Sequence, residues 1–220
     1  MGSNERREKE KEIRKKDIID AAERIFFTKG YRYATMDDVA KEAEYSKRTV
    51  YVYFNSKEQI YFEIMIRGYR RLMEMLGAVP KEHAPTAIEE IRQMASTLYR
   101  FSNEYPEYFG AIMEYENSAL DFQKGIPDHS KEECYALGEQ ILGYLTDALK
   151  KGIAEGSVCS GLNIENTALA LWACIIGAFN TAKKKQHYIE NYHGIKPEDL
   201  VSEAFNILIR SIRNETEKPK

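Results

Sequence analysis

Cysteine, proline, histidine and tryptophan are all scarce in this 220-residue sequence, at three, six, four and one residues. Cys134, Cys159 and Cys174 are odd in number and widely spaced, which excludes a disulfide framework and leaves no pair at metal-ligand spacing. They are expected to be reduced and structural. His83, His129, His187 and His193 are scattered, and neither a Gly-x4-Gly-Lys phosphate loop nor a His-Glu-x-x-His zinc motif occurs. With no nucleophile–base pair and no metal cluster in view, neither enzymatic activity nor a cofactor is expected. Long hydrophobic runs are missing too. The most apolar one, Ala168 to Phe179, is about twelve residues, shorter than the roughly 18–20 that span a bilayer. The segment 1–16 is charged and has no apolar signal core. A cytoplasmic protein without a membrane partner is expected. No strand alternation and no repeat of 20–50 residues stands out.

What is present is a globular composition, 43% hydrophobic and 30% charged, with a net charge of −3. A polybasic coat is excluded, but a local basic patch is not. Residues 1–57 carry a net +3 and residues 58–220 a net −6. A slightly basic N-terminal unit is therefore followed by an acidic one.

Helical periodicity runs through the chain. Residues 5–17 alternate charges, so residues 1–14 read as a solvated helical extension or a disordered arm. Ile18, Ala22, Ile25 and Phe26 then form one apolar stripe ending at Gly30. Thr35 followed by Asp38 starts a short helix whose inner face is Met36, Val39, Ala40 and Ala43. Ser46 caps the next, over about 47–54, with Val50 and Phe54 inward and Arg48 and Val52 on the opposite side. Ser56 and Gln59 read as a capping box for a helix of some twenty residues reaching Gly77. Further helices are expected over 86–101, 106–115, 132–155, 168–179 and 197–213, about nine in all. Gly77–Pro85, Asp121–Ser130 and His187–Lys196 read as connections, and the tail from Asn214 as frayed.

Two short helices joined by a tight turn, the second exposing Lys, Arg, Thr and Tyr, describe a helix-turn-helix. The second helix suits the major groove of B-DNA. Arg48 has the donors to read guanine through O6 and N7, and Lys47 those for guanine or phosphate. Thr49 and Val52 suit a thymine methyl, while Tyr51 and Tyr53 suit phosphate oxygens. Thr35, with the helix start it caps, and Lys57, at the next helix start, are candidate phosphate anchors. Ser46 completes this candidate face.

The run Thr35-Met-Asp-Asp-Val-Ala-Lys-Glu-Ala43, then Ser46-Lys-Arg-Thr-Val-Tyr-Val-Tyr-Phe54, then Asn55-Ser-Lys57-Glu58 resembles the TetR/AcrR transcriptional regulators. The likeness extends from Ile18 to Ile60, about a fifth of the chain. Glu44 stands where that family usually has a turn glycine, Tyr45 where it has a small apolar residue, and Tyr53 where it has histidine. The resemblance implies an all-α fold, with an N-terminal three-helix DNA-binding domain (1–57) and a larger C-terminal helical domain for ligand binding and dimerisation (58–220). It further implies a homodimer built on the last two long helices, a double-stranded palindromic operator, and repression relieved by a small-molecule effector. For that effector, the aromatic and methionine density over 94–122 points to a lipophilic or aromatic molecule. Met94, Leu98, Phe101, Phe109, Met113, Trp172 and Phe179 are the candidate pocket residues. Glu114 and Glu116 would suit a cationic one. The competing expectation is a helical bundle that acts through protein partners, which would want a larger apolar patch around Lys47, Arg48, Thr49 and Val52.

Overall fold

The computed structural model describes residues 3–78, 86–116 and 129–214, and every regular element among them is a helix. In chain order these are α1 (Ser3–Lys29), α2 (Met36–Glu42), α3 (Lys47–Tyr53), α4 (Lys57–Gly77) and α5 (Ala87–Glu104). Then follow α6 (Pro106–Glu116), α7 (His129–Glu155), α8 (Ile164–Lys184), α9 (Gln186–His193) and α10 (Pro197–Ile212). Of the expected connections 77–85 and 121–130, residues 79–85 and 121–128, with His83 and Phe122, lie outside the described residues, while Gly77 ends α4 and His129 and Ser130 open α7; the side chains of Glu114, Tyr115 and Glu116 and the tail beyond Asn214 also lie outside them.

One expectation is corrected. His187–Lys196 has the composition of a polar loop, yet α9 occupies most of it. Only Ile189 of α9 is buried, so the apolar stripe that identifies a helix is missing. What holds α9 is its end. Gly194 takes a left-handed conformation (φ 65°), its N–H donates to Glu190, and the Ile195 N–H donates to the Ile189 carbonyl.

The described chain forms two compact units. The first takes residues 1–71 and 105–137. Its core gathers Ile18, Ala22 and Phe26 of α1, Val39 and Ala40 of α2, Val50 and Phe54 around α3, and Ile60, Ile64 and Met65 of α4. Ile25, the fourth member of the α1 stripe, is half-buried. The extension before Ile18 continues α1 without a break. Gly68 lets α4 approach α6 closely: a Cβ there would lie 3.1 Å from Tyr108 Cβ and 3.2 Å from Ile112 Cδ1. Beside that contact, Arg67 pairs with Asp20 (2.7 Å) and Glu23 (3.0 Å) of α1. The same Glu23 accepts a hydrogen bond from Tyr108, and burial, with that bond, pushes the phenol pKa up.

The second unit takes residues 72–104 and 138–220. Ile88 and Ile91 of α5, Leu149 of α7, Ala168 and Leu171 of α8, and Ile209 and Ile212 of α10 share one core. The turn after α7 is stitched to the end of α10: Cys159 N–H donates to the Ile212 carbonyl (2.9 Å), and Asn214 N–H to Ser157 (3.0 Å). Asn214 itself, where the frayed tail is expected to begin, is held by that bond. Gly152 sits so tightly under this turn that a Cβ would meet Val158 Cγ2 at 2.4 Å. No helix among the described residues is long and apolar enough to cross a membrane.

Candidate nucleic-acid interface and ligand pocket

The two short helices are built end by end from polar side chains. Thr35 caps α2: its hydroxyl accepts from the Asp38 N–H (3.1 Å) and donates to the Asp38 carboxylate (2.7 Å), which also accepts from the Thr35 N–H (2.8 Å). Lys29 closes on the same carboxylate at 2.7 Å. The Lys29 and Thr35 bonds hold the Asp38 pKa at about 2. Ser46 caps α3, accepting from the Thr49 N–H at 3.1 Å, and its hydroxyl bonds the Thr49 hydroxyl at 2.8 Å. Thr35, Ser46 and Thr49 thus spend their hydroxyls locally, and the caps orient the helices they start.

Between the caps, Glu44 has φ 58°, the positive φ found at a non-glycine residue among the described positions. Its N–H donates to the Lys41 carbonyl (3.2 Å), and the Tyr45 N–H to Ala40 (3.0 Å), so the residue in the usual glycine position does a glycine's work. Tyr45 reaches back to α1, its hydroxyl donating to Asp17 at 3.0 Å, and that bond raises the phenol pKa.

The outer face of α3 matches its expected register. Val50 and Phe54 are buried; Arg48 is exposed, Val52 is 74% exposed, Tyr51 44% exposed, and Tyr53 half-buried. Arg48 makes no hydrogen bond or ion pair within the described residues, so its guanidinium is available to an outside acceptor. Lys47 is exposed but rests on Asp37 at 2.8 Å, which raises its pKa. Arg24 and Glu42 tie α1 to α2 at 2.7 Å. Asp37, Asp38 and Glu42 each meet a cation, whereas Glu44 has none among the described residues.

Lys57 is placed differently from the surface anchor that its position in sequence suggests. Its ammonium donates to the carbonyls of Tyr31 (2.7 Å) and Ala34 (2.9 Å) and lies 4.3 Å from the centre of the Tyr31 ring. Burial lowers its pKa. It fastens the start of α4 to the α1–α2 connection, an internal role that a lone basic residue at a helix start does not announce.

Residues 18–64 match the family model described as "Bacterial regulatory proteins, tetR family". Over that segment the chain carries a TetR-type helix-turn-helix domain. Its similarity to the fatty acid metabolism regulator protein of Bacillus subtilis (strain 168) is 24% identity over 159 residues, covering 71% of this chain and 76% of that protein. Among solved structures, it resembles SmeT, the repressor of the Stenotrophomonas maltophilia multidrug efflux pump SmeDEF. There the TM-score is 0.66 at 17% identity, covering 93% of each chain. It also resembles the fatty acid degradation regulator FadR of Bacillus halodurans, with a TM-score of 0.63 at 15% identity, covering 89% of this chain and 94% of that one. Together these likenesses support a TetR-type transcriptional regulator with a helix-turn-helix.

Apart from the TetR-like helix-turn-helix, the second unit holds a cavity of about 80 Å³. Leu72 and Leu76 of α4, Ile91, Met94 and Leu98 of α5, Ile141 and Leu145 of α7, Trp172 of α8 and Phe205 of α10 are among its walls. Of the expected pocket residues, Met94, Leu98 and Trp172 line it, while Phe101, Phe109, Met113 and Phe179 do not. Phe101, Phe109 and Met113 are packed into core. Phe179 sits between Tyr99, tilted against it at 5.2 Å, and Phe205, edge-on at 5.9 Å. Arg92, which the sequence does not single out, is the charged residue among the described residues of the wall; its signal is a cation next to Ile91 on an otherwise apolar stripe.

Proposed function

We propose that this TetR-type regulator is a repressor. As a homodimer it binds a palindromic operator through α3 of each protomer, and releases it when a small apolar effector enters the second-unit cavity. The observation that carries the DNA half is the unpartnered Arg48, presented with Thr49 and Val52 on the outer face of a fully capped α3. Arg48 would read a guanine, Val52 a thymine methyl, and Lys47, Tyr51 and Tyr53 would position the backbone. Thr35 and Ser46 would serve mainly by orienting helix starts, and Lys57 by holding the frame. We place the functional division at Lys57, with 1–57 reading DNA and 58–220 serving dimerisation and effector binding.

The dimer reading is supported by α8. Leu169, Ala173, Cys174 and Gly177 are exposed along a face without charge, and nothing lies within 4 Å of a Cβ built on Gly177. Ile207 of α10 is exposed as well. The effector reading is supported by the apolar cavity wall, and by the similarity to two regulators of fatty acid metabolism and one of an efflux pump. Release would run along α4, a single helix that starts at Lys57 and supplies Leu72 and Leu76 to the cavity. Effector entry would displace α4, change the separation of the two reading helices and remove the match to half-site spacing.

The test is a titration of the protein against its own upstream intergenic DNA at several salt concentrations. Retention well above that of random DNA, with affinity falling steeply as salt rises, is expected. Binding equal to that of random DNA across such fragments would refute the operator reading.

A further inference from the structure

We propose that the second-unit cavity selects an apolar carboxylate, with Arg92 receiving the acid group and the hydrocarbon wall receiving the rest. This rests on the effector reading above. Arg92 is the charged residue in a wall otherwise built of aliphatic and aromatic side chains. It is half-buried on α5, and its Nη1 donates to the Asn206 Oδ1 of α10 at 3.1 Å. That partner is neutral. Within the described residues no carboxylate lies within ion-pair distance of Arg92. Arg67, also shielded, shows the contrast: two carboxylates close on it.

A guanidinium has five N–H donors in a planar fork, and Arg92 uses one on Asn206. A ligand carboxylate takes two in parallel, the geometry in which an arginine binds most strongly. The Asn206 bond uses the amide oxygen, so it orients the fork without occupying its charge. A neutral ligand strips water from Arg92 and returns at most an uncharged hydrogen bond, and a cationic ligand adds repulsion. Only an anion gains from both wall and charge.

The present free volume of about 80 Å³ is smaller than the roughly 150 Å³ of a cavity that holds benzene. A ligand chain must therefore push lining side chains aside. Met94, unbranched and flexible, yields most easily. Leu72 and Leu76 share the wall, so the same expansion bears on α4.

The experiment titrates the full chain with decanoate, decan-1-ol and decylammonium by calorimetry, below their micellar concentrations, with operator release read in parallel. Decanoate is expected to bind at least tenfold more tightly than decan-1-ol, and decylammonium more weakly than either. Arg92→Gln, which keeps a donor for Asn206, should lose at least tenfold for decanoate and leave decan-1-ol unchanged. Arg92→Lys should recover part of the loss. If decan-1-ol binds as tightly as decanoate, or Arg92→Gln keeps the preference, the carboxylate inference falls and the effector reading stands. If none of the three binds, the inference and the cavity's role as an effector site fall together, while specific operator retention still supports DNA reading.

Discussion

Replacing Glu44 by glycine should make this protein more stable. Glu44 holds φ 58° in the turn between α2 and α3. An L-residue in that conformation carries roughly 1–2 kcal/mol of strain from its Cβ. Glycine removes the strain but gives back about 0.4–1 kcal/mol through the greater freedom of its unfolded chain. Taking the middle of each range, the net gain is about 0.5–1 kcal/mol. For a chain of this size each kcal/mol moves Tm by about 2–4 °C, so calorimetry should show a rise of about 1–4 °C. The change also deletes a carboxylate without a cationic partner among the described residues, beside the proposed DNA face. Glu44→Gln separates the two effects because it keeps the Cβ and loses the charge. It should leave Tm nearly unmoved. Both variants should bind DNA more tightly at low salt. For a phosphate about 10 Å away in water the repulsion is on the order of 0.4 kcal/mol, or about twofold, and it should fade at high salt. A glycine variant that melts at or below the parent temperature would refute the strain argument. Equal stabilisation by glutamine would assign the effect to charge instead.

Gly152→Ala should destabilise by about 1–3 kcal/mol, because the new methyl meets Val158 Cγ2 at 2.4 Å; Val158→Ala in the same chain should restore part of the loss in denaturant titrations. Arg67→Ala should cost about 1–3 kcal/mol, since Asp20 and Glu23 are left facing each other half-shielded, and Arg67→Lys should recover less than half because one ammonium replaces a two-pronged contact. The Asp38 pKa is lowered from 3.8 to about 2, so its contribution is complete above pH 3.8 and is lost as pH falls through 2. The stability difference between the parent chain and Asp38→Asn should accordingly be flat at neutral pH and shrink below pH 4. A gap that persists at pH 2 would contradict the bonding seen at Thr35 and Lys29.

The DNA-reading half was legible because its signals are local. Thr35 and Ser46 mark helix starts by their own side chains, and each accepts the backbone bond expected of it. Val50 and Phe54, four residues apart, point inward because a helix has that period. The pocket was less legible. The stretch from Met94 to Met113 is rich in large side chains, but composition does not say where packing leaves a gap. Phe101, Phe109 and Met113 fill core, and the gap falls beside Leu72, Ile141 and Phe205 from distant parts of the chain. The internal bonds of Lys57 are illegible for a similar reason: its carbonyl partners lie 26 and 23 residues away.

The ammonium of Lys57 also acts as a latch whose state can be read chemically. Only a free, neutral amine attacks an acylating reagent, and this one is engaged by two carbonyls and an aromatic face. Lys47, by contrast, sits in open water beside Asp37. In a folded population the two amines therefore keep different clocks: Lys47 follows the reagent, and Lys57 follows the opening of the 31–34 segment. Their ratio measures how often the reading head comes loose from the helix that carries it, without unfolding the rest of the protein.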